Sequence, residues 1–557
     1  MLALNRLNLS NARGDLLGGV TAAVVSLPLA LTFGVASGAG AEAGLYGAIL
    51  IGLFAALFGG TSTLISEPTG PMTVVMTAVV SSLIAANPEN GMAMAFTVVI
   101  LAGVFQIVFG YLRLGKYITL MPYSVVSGFM SGIGVILILM QLAPALGQRA
   151  PPGGVVGSLM SLPELIMNIQ FIELLLFALT LAVLFKMPEK YRKLVPPQLV
   201  ALVGISLFSA IFIFADIDVR RIGEVNASLP SINMPYFTHE QLAVMLVDAM
   251  VLGMLGCIDS MLTSVIADNL TCTEHNSNKE LVGQGLGNIM SGLFGGLPGA
   301  GATMGTVVNI QAGGRTALSG VIRVVALCIA VFGFAGLIES IPLAVLAGIA
   351  VKVGLDILDW SFIRRVHKVS KYSTMIMYAV LVLTVFVDLI VAVGVGVFVA
   401  NIIIIQKLSA AEEENVRSMS DVDDSIPLDD EQRDLLNAAD GRVLLLYLSG
   451  AMIFGVAKAL SRERKNIDKH DAVIFDISEV TYIDDTMALS LENVIYEALD
   501  AGKHVGLVVG SDLAKDKLMN LGIGERLPLE NFAHSRTGAL RQALENLEID
   551  VRSGTQT

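Results

Sequence analysis

The chain has 557 residues, 54% hydrophobic and only 15% charged, with a formal net charge of −13 and a mean hydropathy of +0.73. Soluble domains are about 45–50% apolar and about 25% charged, so a single water-soluble globule is excluded. The charge is also uneven: from Ser409 onward there are 15 Lys+Arg against 28 Asp+Glu, whereas residues 1–408 carry 20 of each. This pattern predicts a neutral transmembrane domain over 1–408, an acidic linker over 409–440 and an acidic soluble domain over 441–548. Neither part offers the basic footprint that nucleic acid requires.

Cys257, Cys272 and Cys328 are too few and too scattered for a disulfide framework or a metal site. The six His fall in loops or in the tail. Met1–Gly14 is short and polar and is expected to be a cytoplasmic leader rather than a signal peptide.

Apolar stretches follow one another near 15–38, 43–60, 69–86, 92–112, 117–142, 170–187, 196–216, 241–267, 279–296, 302–312, 316–338, 341–356, 372–387 and 388–406. They predict about fourteen helical membrane segments in a lipid bilayer, two of them too short to span. Strict alternation is absent, so a β-barrel is excluded. Arg6/Arg13, Arg113/Lys116, Lys186/Lys190/Arg192/Lys193 and Arg364/Arg365/Lys368/Lys371 share one side when the N-terminus is cytoplasmic. Arg220 and Arg221 are the exception. An even count returns the C-terminus to the cytoplasm, giving a multi-pass protein of the inner (plasma) membrane.

An internal repeat is visible. LFGG at Leu57–Gly60 recurs at Leu293–Gly296, and each copy leads through a Gly/Pro-rich break into a related run, GPMTVV (Gly70–Val75) and GATMGTVV (Gly301–Val308). The copies lie about seven spans apart, an odd number, so the second is expected to be inverted.

Paired Gly/Pro interruptions in corresponding spans point to a transporter binding site. Lipid leaves free backbone groups unsatisfied, so irregular backbone survives only where it is buried or lines a cavity. Half-helices starting near Thr69–Pro71 and near Ala302–Thr303 would each present unpaired N–H groups and the positive end of the helix dipole. Two such ends meeting within the membrane would bind a small anion, with Thr69, Gly70, Ala302 and Thr303 as its candidate residues. Simple proline kinks are the competing reading.

CIDSMLTSVIAD, Cys257–Asp268, places Asp259 inside the eighth span, where a carboxylate costs upward of about 2.5 kcal/mol and needs a partner or a role. Thr263 lies four residues on, on the same face. Carboxylate, hydroxyl and unwound carbonyls suit an alkali cation, and Gly299, Gly301 and Ala302 could lend the carbonyls. Proton titration and an interhelical hydrogen bond are the alternatives. Asp268 is expected at the solvated cytoplasmic end. Glu67 is expected to cap the half-helix or pair with a cytoplasmic base, Arg323 to snorkel or bond carbonyls, and Asp388 to lie in the short turn between the last two spans.

Beyond Glu412–Asp434, expected to be flexible, RVLLLYL, AVIFDIS and HVGLVV read as strands with helical segments between them. DISEVTYIDDTMALSLENVIYEAL, Asp476–Leu499, resembles the STAS domain of anti-sigma-factor antagonists. Where those regulators carry a phosphorylatable Ser, this chain has Asp485, which could cap the helix that follows. Structural dimerisation, giving a homodimer partly through this domain, is the expectation over ligand sensing.

The stretch HNSNKELVGQGLGNIMSGLFGGLPGAGATMGTVVNIQAGGRTALSG, His275–Gly320, resembles the ninth and tenth spans of the SulP family of anion transporters. Gly14–Val24, Leu64–Val75, Leu252–Asp259, Leu262–Val265 and Lys352–Trp360 are similar to its BicA-type branch, the sodium-dependent bicarbonate transporters of cyanobacteria. The resemblance implies an α-helical polytopic fold with a 7+7 inverted repeat, core and gate domains, an elevator-like movement and a cytoplasmic α/β STAS domain. It also implies that Asp259, Thr263, Gly301, Ala302 and Thr303 hold sodium and that Thr69 and Thr263 contribute to the substrate site. Two departures from the wider family stand out: Leu29 follows Pro28 where many members have Gln, and Gly305 stands where many have a basic residue. A sodium ion at Asp259 would restore the missing positive charge.

The expectation is sodium-coupled symport of bicarbonate, without a cofactor. Sulfate, a C4-dicarboxylate or chloride exchange are alternatives within the class, and a membrane-anchored STAS sensor is the contrasting class. No GxxxxGK[ST] loop is present for primary pumping, and nothing suggests an enzyme.

Overall fold

The computed structural model describes residues 4–5, 9–115, 122–151, 153–192, 195–214, 219–223, 231–387, 389–413, 415–421, 426–510 and 512–549. Arg6, Lys116, Lys193 and Asp388 therefore lie outside the described residues, as do 117–121 of the fifth expected segment and 215–216 of the seventh. The chain divides into two compact units, Met1–Ala400 and Asn401–Thr557.

Each of the fourteen apolar stretches contains a helix: α1 (Ala12–Ala36), α2 (Ala41–Phe58), α3 (Gly70–Ala86), α4 (Gly91–Tyr111), α5 (Tyr123–Met140), α6 (Phe171–Lys186), α7 (Pro197–Phe214), α8 (Leu242–Thr271), α9 (Ser277–Leu293), α10 (Thr303–Gln311), α11 (Ala317–Glu339), α12 (Leu343–Ile357), α13 (Lys371–Phe386) and α14 (Leu389–Glu413). Their lengths differ for a reason. At 1.5 Å per residue the 30 residues of α8 span about 45 Å, whereas the nine of α10 cover about 14 Å, under half of a hydrocarbon core about 30 Å thick. Helix α10 is a half-helix because the chain before it is extended.

The helices sort into two packing groups. One joins α1–α4 with α8–α11, and the other joins α5–α7 with α12 and α13. Helix α9 is the spine of the first group, lying against α4 and α2. The approach to α4 rests on Gly103 and Gly285: a Cβ on either would meet the other's carbonyl oxygen at 2.5 Å, the small-residue contact that membrane helices use to bring backbones together. Asp15, near the start of α1, ties the N-terminus of α11. Its carboxylate accepts the Arg315 and Thr316 N–H groups at 2.8 and 3.0 Å and the Thr316 hydroxyl at 2.7 Å.

The second unit holds a five-stranded sheet in the order β3 (Val416–Met419), β4 (Val443–Met452), β5 (Ala472–Ile483), β6 (His504–Val509) and β7 (Phe532–Ala533). The β3/β4 pair is antiparallel and the rest are parallel. The three longest strands are those read from the sequence. Helices α15 (Asp430–Ala438), α16 (Asp485–Asp500), α17 (Asp512–Asn520) and α18 (Arg536–Asn546) cover the sheet, with apolar clusters on both faces.

Two expectations change here. The acidic stretch read as a flexible linker contributes β3 and α15, because Leu435 and Leu436 bury against Leu540 and Leu544; α15 also carries a capping box of Asp429 and Gln432. The cap of α16 is Asp484, not Asp485: Asp484 is extended and accepts the Met487 N–H at 2.7 Å. Asp485 is already helical, so its side chain points outward and pairs with Lys517 at 2.7 Å, a bond that raises the Lys517 pKa.

Candidate functional site

Both sequence breaks are extended, and they pair with each other. Strand β1 (Ser66–Glu67) runs antiparallel to β2 (Ala300–Gly301), with Ser66 opposite Gly301 and Glu67 opposite Ala300. The Ala302 N–H donates to the Ile65 carbonyl at 2.8 Å, and the Thr306 hydroxyl accepts the Ile65 N–H at 3.0 Å. Thr69 and Ala302 are the N-cap residues of α3 and α10, and neither caps its helix with a side chain. An antiparallel ladder sends the helices that follow it away in opposite directions. The two uncapped starts therefore flank one short ladder, and their dipoles bring positive potential to it from two sides.

Asp259 lies beside this ladder. Its Oδ2 accepts the Thr69 hydroxyl at 2.9 Å, and the residue is 6% exposed. One turn along α8, the buried Thr263 hydroxyl lies 2.9 Å from the Gly301 carbonyl, to which it donates, and 2.9 Å from the exposed Thr303 hydroxyl. Ser260, which the sequence did not single out, accepts the Gly301 N–H at 3.0 Å. Thr69, Gly70, Asp259, Thr263, Gly301, Ala302 and Thr303 thus come together around a carboxylate, hydroxyls and a carbonyl. These are hard oxygen donors of the kind alkali cations take, next to two helix starts that suit an anion.

Gly299 does not join them. Asn288 accepts its N–H and donates to its carbonyl, each at 2.9 Å. A Cβ at Gly299 would meet the Glu67 carbonyl oxygen at 2.4 Å, so the residue serves the ladder's close packing. Gly305 is buried, and its missing Cβ would face Ile65 and the Glu67 Oε1.

Two polar residues, Glu67 and Asp268, were placed differently by the sequence, while Arg323 follows the second of its two readings and bonds carbonyls. Arg323 does not snorkel: it is fully buried and donates to Glu67 Oε2 at 2.6 Å, to the Ser26 hydroxyl at 2.9 Å and to the carbonyls of Ala48 and Ser66 at 3.1 Å. Glu67 accordingly neither caps α3 nor meets a cytoplasmic base. Asp268 is only partly exposed and is engaged by the His275 ring and N–H at 2.6 and 3.1 Å. The approach of His275 as the chain turns out of α8 removes the carboxylate from the solvated end expected for it.

The structure also explains the NxELxGQGxxNxxSGLFGG block. Glu280, Gln284, Asn288 and Ser291 form a buried polar stripe on α9. Glu280 Oε2 accepts the Gly60 and Thr61 N–H groups at 2.7 Å, and Gln284 donates to the Ser66 hydroxyl at 2.6 Å. Ser291 donates to the Leu297 carbonyl at 2.6 Å. The stripe supplies partners for backbone that lipid could not satisfy. Polar residues at i, i+4 and i+8 in an apolar span were the signal for it, although the spacing alone names no partner.

A cavity of about 940 Å³ reaches Met304, next to Thr303, but Asp259 and Thr69 do not line it.

The sequence pattern of the sulfate permease family matches residues 12–380, and that of the STAS domain matches residues 436–535. The chain is 58% identical over 98% of its length to the bicarbonate transporter BicA of Synechocystis, covering 96% of that protein. It is 57% identical over its full length to the BicA protein of Picosynechococcus, covering 98% of it. The solved transmembrane domain of a cyanobacterial BicA superposes with a TM-score of 0.66 at 64% identity, over 70% of this chain and 99% of that one. SLC26A9 shares the fold at a TM-score of 0.81 and 16% identity, over 98% of this chain and 92% of that one. The chain belongs to the sulfate permease, or SulP, family: it is a multi-pass membrane transporter of anions with a C-terminal STAS domain, and not an enzyme.

Proposed function

We propose that this protein carries bicarbonate into the cell in symport with sodium. The observation that carries the reading is the Thr69–Asp259 hydrogen bond beside the paired strands, which puts a carboxylate and two uncapped helix starts in one place. A sodium ion held by Asp259, Thr263, Thr303 and the Gly301 carbonyl would neutralise the carboxylate. The backbone N–H groups near Gly70 and Thr303, with Thr69, would then donate to a monovalent oxyanion that Asp259 alone would repel. Coupling follows, because each ion removes a cost of binding the other.

The choice of bicarbonate rests on the two BicA relatives. The group of α1–α4 with α8–α11 would carry the site past the other helices in an elevator-like movement. By the distribution of Lys and Arg in the short loops, the termini face the cytoplasm from the inner membrane. The protein works as a homodimer formed partly through the STAS domain.

Labelled bicarbonate uptake into proteoliposomes, with sodium or with choline in its place, tests the reading. Uptake indifferent to sodium removes the coupling, and stronger competition by sulfate or fumarate than by bicarbonate changes the substrate.

A further inference from the structure

Gly70 is the first residue of α3 and Pro71 the second. The Thr73 N–H is given to the Thr69 carbonyl at 2.9 Å, and Pro71 has no N–H. Gly70 and Met72 therefore hold the first-turn donors that helix bonding leaves over. A helical Cα–Cβ bond leans toward the N-terminus, the direction in which those N–H groups also point. Whatever fills the place of the missing Gly70 Cβ thus stands beside the donors that the transport reading assigns to the anion. Ile357 fills it: a Cβ on Gly70 would meet the Ile357 Cδ1 at 2.6 Å, whereas the next atoms, of Leu137 and Phe33, are 3.8 and 4.0 Å away.

Ile357 is the last residue of α12, and the chain on both sides of it is tied to α5. Three residues earlier the two backbones touch. A Cβ on Gly134 would meet the Gly354 carbonyl oxygen at 2.6 Å, and one on Gly354 would meet the Gly134 oxygen at 2.8 Å. Two residues later, Asp359 accepts the Tyr123 and Ser127 hydroxyls at 2.7 and 2.9 Å, and its N–H donates to the Ser131 hydroxyl at 3.3 Å. Ile357 is also β-branched and stiff at χ1, so its methyl has little room to retreat. The start of α10 is different: Thr303 and Met304 are exposed, whereas Gly70, Pro71 and Met72 are buried. A solute between the two helix starts is confined on the α3 side, by Ile357.

We propose that Ile357 sets the size of the anion this transporter carries. A flat three-oxygen anion fits against the Gly70 and Met72 N–H groups beside the isoleucine methyl, and a monovalent anion with one or two further carbons meets that methyl. The helix starts select for charge and Ile357 selects for size. The proposal rests on the transport reading above and adds the side chain that limits the solute.

Nitrate, methanesulfonate and ethanesulfonate are permanent monovalent anions of rising size. Each is placed on both faces of proteoliposomes as a competitor of labelled bicarbonate uptake. In the parent chain inhibition weakens in that order, and equal inhibition by all three overturns the proposal. Ile357→Ala is expected to lower the ratio of the ethanesulfonate to the nitrate inhibition constant about tenfold. Ile357→Val lowers it less, and Ile357→Leu, of equal volume, keeps it. A loss of stability alone lowers uptake with either competitor alike and leaves the ratio unmoved.

The contact itself is read in a second series. Gly70→Ala sets a Cβ against the Ile357 Cδ1 and slows bicarbonate uptake. Ile357→Val removes that one atom, so the double variant recovers part of the rate. A ratio unchanged in Ile357→Ala overturns the proposal, and so does a double variant no faster than Gly70→Ala. Should Ile357→Ala fail to fold, Ile357→Val decides, and an unchanged ratio there overturns the proposal. A parent chain that carries another anion in place of bicarbonate would change the substrate, while the same ratio measured against that anion would still decide the role of Ile357.

Discussion

Arg323 Nη2 and Glu67 Oε2 stand 2.6 Å apart with both side chains shut off from solvent, although 256 positions separate them in the chain. The arginine holds β1 from behind while β2 holds it from the front. Losing one partner of such a pair leaves a bare buried charge, at a cost of about 3–5 kcal/mol. Arg323→Met should therefore lower the thermal midpoint of the purified protein sharply. The double variant with Glu67→Gln should recover part of the loss, because no charge is then left unpaired. Equal loss in single and double variants would show that the two residues act separately.

Asp259→Asn keeps an oxygen that can accept the Thr69 hydroxyl but removes the charge. Folded yield should stay near that of the parent. Sodium-driven bicarbonate accumulation and any sodium-induced rise in thermal midpoint should both vanish. A variant that keeps the sodium response would place the cation elsewhere, and one that fails to fold would make the carboxylate structural.

Asn288 satisfies both backbone groups of Gly299 and also donates to Gln106 at 2.9 Å. Asn288→Ala should cost about 1–3 kcal/mol for each buried group left without a partner, read as a fall in thermal midpoint. The maximal rate of uptake should fall too, since β2 sets the start of α10. Full activity in a destabilised protein would separate the stripe from the site.

His504, at the start of β6, is partly buried, and burial lowers its pKa from the ordinary 6.5. The unfolded chain then binds the proton more tightly than the folded one. The stability gained from neutral His504 is complete above about pH 6.5 and is lost as pH falls through the lower folded value. Hydrogen exchange of β5 and β6 in the intact protein should quicken on acidification below that range. His504→Gln should flatten the response, and an unchanged pH profile in the variant would assign the effect to other groups.

The helices were legible because lipid enforces one rule: a spanning segment must be apolar and must satisfy its own backbone. The two breaks were legible for the same reason, as violations of that rule. Asp259 and Thr263 followed from one helical turn within a single span. The partners of Glu67, Glu280 and Arg323 did not, because each bond joins segments far apart in the chain and a charge in an apolar run does not say which segment will face it. The linker was misread because acidic surface residues outnumber the two leucines that anchor α15.

By itself the sequence determined the division into a neutral membrane unit and an acidic α/β unit, the number of apolar helices, the two interrupted spans and the family. These follow from composition, local periodicity and motifs, which depend on neighbouring residues alone. Only the tertiary structure decided that the two interruptions pair as antiparallel strands, that Asp259 takes a hydroxyl from Thr69, and that the α9 stripe and Arg323 hold the ladder in place. Hydrogen bonds and ion pairs act over about 3 Å, and which groups come that close is set by the packing of the whole membrane unit.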